Sequence, residues 1–225
     1  ENDNAYSTPL QLVAQSPLTP VMDPETGEYN TTTIYYNGLI SLRDGSNNQT
    51  SFRSLANFYA SYNILKDLTF KSEFGTDIMD MREKNYWGRL TITGGPAGEA
   101  QNRTVRVVNY NWENYLTYVK TFGVHHLNIV GGMSYQQSNT TGSNIQAKGF
   151  PTDDFQNIEN AAEATVFSSW EDANSYLSYF ARSNYKINEK YFFTLSGRVD
   201  GSSRFGIDNR FGFFPAASAG WILTQ

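Results

Sequence analysis

From Ser51 onward the chain alternates residue by residue between apolar or ring-bearing side chains and polar ones, and a two-residue period of that kind restricts it to β structure. Between Phe52 and Ile64 one set reads Phe52, Ser54, Ala56, Phe58, Ala60, Tyr62, Ile64, in which six of seven are apolar or aromatic. The intervening set, Arg53, Leu55, Asn57, Tyr59, Ser61, Asn63, has two of six. Tyr191, Phe193, Leu195, Gly197 and Val199 likewise alternate with Phe192, Thr194, Ser196, Arg198 and Asp200. The same pattern runs through Leu68–Ile78, Tyr110–Phe122, Leu127–Tyr135 and Leu177–Ile187, and less cleanly through Phe213–Leu223. Seven strands are expected.

The connections predict how those strands are arranged. Leu65–Asp67, Gly123–His126 and Asn188–Lys190 are tight links. Met79–Arg103 and Ser138–Asn174 are long, and Gly201–Gly212 is intermediate. Short and long alternate, so every tight turn falls at one end of the strands and every long loop at the other. Parity agrees with this: slipping a strand by one residue flips all its side chains. Ile64 can share a face with Leu68, and Ile187 with Tyr191, only across an odd-numbered loop. Three residues separate each pair, an ordinary hairpin length. Residues 1–50, rich in Pro, Asn, Thr and Gly, read as a long loop region, with a short extended piece at Thr33–Ile40.

The apolar face can meet a second protein layer, as in a soluble β-sandwich, or lipid, as in an outer-membrane barrel. Several runs reach the 9–11 residues a tilted membrane strand needs. Tyr62, Phe70, Trp112, Tyr118, Tyr135, Tyr185 and Tyr191 stand towards strand ends, where an interfacial girdle would place them. One-ended long loops are also the outer-membrane pattern. Aromatics make up 15% of the chain but charged residues only 17%, low for a soluble domain. No run of about 18 apolar residues exists to form a membrane helix, and the N-terminus lacks the pattern of a signal peptide. An export signal, if used, is expected to have been removed or to lie outside this sequence.

Other chemistries find little footing. A net charge of −5 offers no basic stripe to nucleic acid, and without cysteine there is no disulfide, thiol or Cys-ligated zinc chemistry. His125 and His126 are adjacent, so on a strand they diverge and could not share a metal; they read as a solvated turn pair. Asp153-Asp154 lacks the spacing of a calcium loop and reads as loop-ordering. The four Asn-x-Thr sequons, at Asn30, Asn48, Asn102 and Asn139, read as chance matches. No nucleophile elbow, P-loop or zinc-protease helix is present, and no cofactor is expected.

The stretch "SGRVDGSSRFGIDNRFGFFPAASAGW" resembles a signature of the SusC/RagA family of TonB-linked outer-membrane proteins. Asp200, Gly201, Ser202, Ser203, Arg204, Phe205, Gly206, Asn209, Arg210, Phe214, Pro215, Ser218, Gly220 and Trp221 fit it. Family-like pieces occur in order elsewhere: "SPLTPV", "YNILKDLTFKSEFGTD", "WENYLTYVKTFGVHHLN" and "GFPTDDF". Phe211 and Val199 depart from the usual pattern without touching the fold.

The resemblance implies an all-β, antiparallel, up-and-down segment of a transmembrane barrel of about 22 strands. Residues 51–225 would be part of the barrel, with the plug domain absent. It implies outer-membrane lipid as a partner, a SusD-like lipoprotein at the extracellular loops, TonB engaged through a region not present here, and an oligosaccharide or peptide cargo. Within the signature loop, Gly201 and Gly206 are expected to supply turn conformations. Arg204 and Arg210 are expected to pair with Asp200 or Asp208. Lys71, Glu73, Glu113, Arg182, Lys186, Arg198 and Asp200 are expected to face the wet lumen. An outer-membrane lipase barrel is the enzymatic alternative, and it would need a nucleophile with a partner His on one face. In water the chain alone, with two open edges, is expected to aggregate.

Overall fold

The computed structural model describes residues 13–33 and 35–223. A single seven-stranded antiparallel sheet runs β1 (Gly45–Leu65), β2 (Leu68–Trp87), β3 (Glu99–Phe122), β4 (His125–Lys148), β5 (Glu163–Ile187), β6 (Tyr191–Ser202) and β7 (Phe211–Trp221), each strand next to its sequence neighbour. The expected strand count holds. So does the alternation of links: two or three residues join β1 to β2, β3 to β4 and β5 to β6, and longer links join the others. Ile187 and Tyr191 are partners in the register, as the three-residue turn requires.

Among the described residues nothing forms a second sheet. Leu195, Phe193 and Phe213 lie on one face of β6 and β7 and are exposed, so none of the described residues covers that face as a sandwich layer would.

The strands are longer than the alternation predicts. β1 to β5 run 20–25 residues, against 12 and 11 for β6 and β7. The links expected at Met79–Arg103, Ser138–Asn174 and Gly201–Gly212 shrink to 88–98, 149–162 and 203–210. The reason is solvent. Where both faces of a strand meet water the side chains carry no apolar period, yet the backbone ladder continues. "SNTTGSNIQAK" is strand throughout, although it reads as loop.

Residues 1–50 also differ from a plain loop. Gly38–Asp44 form a helix, α1, and 45–50 already belong to β1. Asn37 caps α1: its Oδ1 accepts from Leu39 N, while its Nδ2 donates to Val21 O at 3.0 Å and Asn30 O at 3.3 Å. The helix buries Ile40 completely, where an extended piece had been expected.

The chain packs as two compact units. One gathers the described residues up to Ser51, Asp80–Val105 and Gly142–Trp170; the other holds Phe52–Met79, Arg106–Thr141 and the described residues from Glu171 on. The first has a small core of Tyr86, Ala100 and Phe150, with Ile158 and Ala161 packed against it. The second has sorted faces. Arg53–Asp77, Lys71–Tyr59 and Thr69–Asn63 contacts all join odd-numbered residues of β1 and β2, so these two strands present one polar side.

The opposite face of the second unit carries rings in two groups. Phe122, His125 and Tyr185 stack at 5.3 and 5.8 Å near the tight turns, and Tyr191 stacks on its register partner Trp221 at 6.2 Å. Tyr110 packs with Phe74 and Tyr135 at 6.4 and 6.2 Å. Ten to twelve residues separate the groups along β3 and β4, from Tyr110 to Phe122 and from His125 to Tyr135. At the usual strand rise and a tilt near 45° this is about 23–28 Å, the height of an apolar band between two aromatic girdles.

Candidate functional site

The polar face of the second unit is organised around β2. Arg53 grips Asp77 with two hydrogen bonds, at 2.9 and 2.8 Å, a fork geometry suited to a carboxylate. Lys71 and Glu73 form an ion pair on the same face, Tyr115 donates to Glu73 at 3.3 Å, and the Lys71 ammonium lies 4.9 Å from the centre of the Tyr59 ring. Gly75 sits between these pairs. A Cβ there would run into the amide oxygens of both Asn57 and Asn111, so the missing side chain lets two amides reach across β2. Asn57, Asp77, Asn109, Asn111, Gln136 and Asn174 line an open groove of about 330 Å3.

Of the residues expected to face a lumen, the structure joins Lys71 to Glu73, and Arg198 to Asp200 at 2.5 Å and to Ser178 at 3.0 Å. Arg182 and Lys186 are register partners of Ser196 and Phe192, on the side that Arg198 shares with Phe180. Glu113 is two residues from Asn111 and from Tyr115 on β3, and so shares their side of the strand. Lys186 bonds Glu189 in the turn at 2.7 Å. That bond holds the Glu189 carboxyl below its ordinary value of 4.5, with the nearby Lys186 and His126 charges acting in the same direction.

Within the signature loop some expectations need correcting. Arg204 pairs with Asp172 of β5, at 3.3 Å, and Asp200 pairs with Arg198, so the loop is tied to neighbouring strands by its charges. Gly206 has an ordinary φ of −58° and nothing near its missing side chain, so no special turn conformation is required of it. Gly201 is a strand residue whose side-chain space is filled by the ring of Phe211, its register partner.

Backbone bonds complete the loop, from Ser202 N to Arg210 O at 3.0 Å and from Ser203 N to Ser175 O at 2.9 Å. Ser203 Oγ accepts from Ser175 N at 2.9 Å. Asn209 N bonds Gly206 O, closing a single helical turn over Ile207–Asn209, and leaves Phe205 and Ile207 exposed at the tip. Pro215 lies opposite Gly197 and Trp221 opposite Tyr191.

The histidines stand at the start of β4, each with its own partner. His125 Nδ1 meets Tyr185 Oη at 2.7 Å, while His126 Nδ1 meets Thr121 Oγ1 at 2.9 Å and its Nε2 lies 3.1 Å from Glu189. No group of three or more His, Cys, Asp or Glu that could hold a metal occurs among the described residues.

The long-link loops are clasped through Tyr86. Its ring meets Phe150 edge-on at 5.0 Å, and its hydroxyl donates to Asp153 Oδ1 at 2.8 Å. Burial, and then the Asp153 carboxylate, push the Tyr86 phenol well above the usual range. The same Asp153 oxygen accepts from Arg89 N at 3.0 Å, and Arg89 reaches Pro151 O at 3.2 Å. Gly149, at φ +85°, turns the chain into this clasp. The "GFPTDDF" stretch therefore works as an anchor through Phe150 and Asp153.

Sequence reasoning missed Arg53–Asp77, Gly75 and Tyr86. It also missed a second constellation, in which Trp170 lies over Gly142 with Arg103 5.6 Å from its ring centre and Glu83 3.7 Å from Arg103. The signal was available: these positions continue the polar parity of β2 to β5 beyond the apolar stretch.

The chain is 36% identical to TonB-dependent receptor P3 of Formosa agariphila over 173 residues, which cover 76% of this chain and 17% of that protein. It is 28% identical to TonB-dependent receptor P26 of the same organism, over 95% of this chain and 23% of the relative. It is 25% identical to TonB-dependent receptor SusC of Bacteroides thetaiotaomicron, over 83% and 18%. Among solved structures it superposes on the RagAB peptide transporter with a TM-score of 0.77 at 23% identity, covering 86% of this chain and 23% of that one. The RagAB peptide importer in its "open-open" state gives 0.78, also at 23% identity, over 89% and 22%. No family model matches. The chain spans about a fifth of the length of the curated relatives it matches. With one antiparallel sheet sorted into a ringed face and a polar face, and with these relatives, the chain belongs to the SusC/RagA family of TonB-linked outer-membrane proteins and forms seven strands of its barrel.

Proposed function

We propose that the protein built on these strands imports oligosaccharides across the outer membrane, driven through TonB and capped by a SusD-like lipoprotein at its long-link loops. The observation that carries this reading is the polar face. It combines a groove lined by six Asn and Gln residues and an ion-paired carboxylate with charges already neutralised in pairs, Arg53 with Asp77 and Lys71 with Glu73. Such a wall offers many donors and acceptors and little net charge, which suits a neutral, hydroxyl-rich cargo. The ringed face is left to lipid.

The lid would rest on the links at 88–98 and 149–162 and on the segment before β1. These are ordered by the Tyr86–Asp153 clasp and by α1. In this reading residues 51–225 supply wall and loops, and energy coupling lies in a plug and TonB-binding segment elsewhere in the protein.

The test is uptake by the intact transporter in its host. Cells relying on it should take up labelled oligosaccharide, and shortening the link between β4 and β5 (residues 151–160) should weaken both lid association and uptake. Uptake of peptides with no uptake of sugars would overturn the substrate class. Unchanged lid association after the deletion would overturn the docking assignment.

A further inference from the structure

The constellation around Trp170 lies within the first unit. Glu83 meets Arg103, and Arg103 and Gly142 both meet the Trp170 ring, so the four positions share one side of their strands. In the alternation along β2 to β5 they have the same parity as Asp77, Asn109, Gln136 and Asn174.

Its setting is built. Gly142 is the residue beneath the indole, and any Cβ on it would collide with the six-membered ring. The missing side chain lets the indole lie across β4 towards Arg103, which Glu83 neutralises. Two residues further along each strand, a second row repeats the arrangement in amides. Asn85 Nδ2 donates to Gln101 Oε1 at 3.4 Å, and Gln101 Nε2 donates to Asn144 Oδ1 at 2.9 Å. That chain of bonds ends on the Asn144 NH2, on the strand next to β5. Trp170 is still 37% exposed, in spite of Gly142 beneath it and the Arg103 guanidinium over its ring.

A flat apolar ring bordered by amide donors and an ion-paired guanidinium is complementary to a pyranose, which is apolar across its C–H face and hydroxylated around its rim. We propose that Trp170, cradled by Gly142 and flanked by Arg103, Gln101 and Asn144, is a stacking platform on the inner wall that binds one sugar ring of a neutral oligosaccharide at the long-loop end of the passage. The proposal rests on the import of oligosaccharides proposed above and adds a residue-level site to it. Arg103 and the Asn144 amide take ring hydroxyls, Glu83 holds Arg103 in place, and the indole buries the C–H face.

The test uses the full-length transporter with its lipoprotein partner in detergent, probed on an array of neutral oligosaccharides. Trp170→Ala should weaken the wild-type array signals by roughly tenfold or more, while Trp170→Phe, which keeps a ring, should cost only a few-fold. Gly142→Val, which tips the indole off the wall, should act in the same direction as Trp170→Ala. Heat-modifiable migration on gels confirms that each barrel is folded, and Trp170→Phe decides the matter should the alanine variant not fold. Sugar binding by wild type that is unchanged in Trp170→Ala, or in Trp170→Phe where that variant must decide, overturns the platform and leaves oligosaccharide import standing. A wild type that retains no glycan on the array, but binds a tryptic peptide pool, overturns both.

Discussion

The Tyr86 hydroxyl donates to Asp153 Oδ1 at 2.8 Å, joining the end of β2 to the link between β4 and β5 across 67 residues of sequence. That oxygen also receives the Arg89 backbone N–H, so one carboxylate fixes two links. Asp153→Ala should leave a buried phenol and a backbone donor without their acceptor, at a cost of about 1–3 kcal/mol. The measurement is limited proteolysis within 149–162, which should accelerate in Asp153→Ala and much less in Asp153→Asn.

Leu195 and Ser196 test the assignment of faces. Leu195 is on the ring side, four residues from the Tyr191–Trp221 stack, and Ser196 is a register partner of Arg182 on the polar side. Leu195→Arg should cost about 2–4 kcal/mol in folding into lipid vesicles, and Ser196→Arg should be tolerated. Equal penalties at the two positions would mean that the faces are not divided between lipid and water.

Gly201 and Gly206, both in the signature loop, should respond oppositely to a side chain. At Gly201 the Phe211 ring occupies the space, so Gly201→Val should destabilise by about 1–3 kcal/mol through overpacking. At Gly206 there is open space and an ordinary φ, so Gly206→Ala should leave the urea unfolding midpoint unchanged.

The turn between β5 and β6 carries a pH response. The Lys186 bond lowers the Glu189 carboxyl, so the turn is stabilised while Glu189 is charged, above its ordinary value of 4.5. As pH falls through the lowered value the contribution disappears. Amide exchange at 188–190 should rise in the wild type as pH falls below 4.5 and through the lowered value. In Glu189→Gln it should already be raised at neutral pH and show no such step. High salt should blunt the effect, because the pair is exposed.

Much of the architecture was legible in the alternation. Strand number, strand neighbours and the segregation of tight turns follow from side chains that must sort onto two faces, because sorting fixes parity and parity fixes register; Ile187 opposite Tyr191 is the clearest case. What the period could not show was where strands end. Thr140 to Lys148 is strand with polar residues on both sides, and a strand wetted on both faces leaves no hydrophobic signature. The α1 helix was missed because seven residues hold too few turns to display a period, although Asn37 ahead of Gly38 was a capping signal.

The sequence by itself determined that this chain would be a two-faced sheet with its long loops at one end, since alternation and link length are local properties of the chain. Only the tertiary structure decided which residues meet. Gly142 beneath Trp170, Gly201 beneath Phe211 and Gly75 between Asn57 and Asn111 are glycines chosen for a neighbour's side chain and not for their own backbone freedom. Such pairs join residues on adjacent strands, 10 to 36 positions apart in sequence, and no pattern within either strand records the space that one leaves for the other.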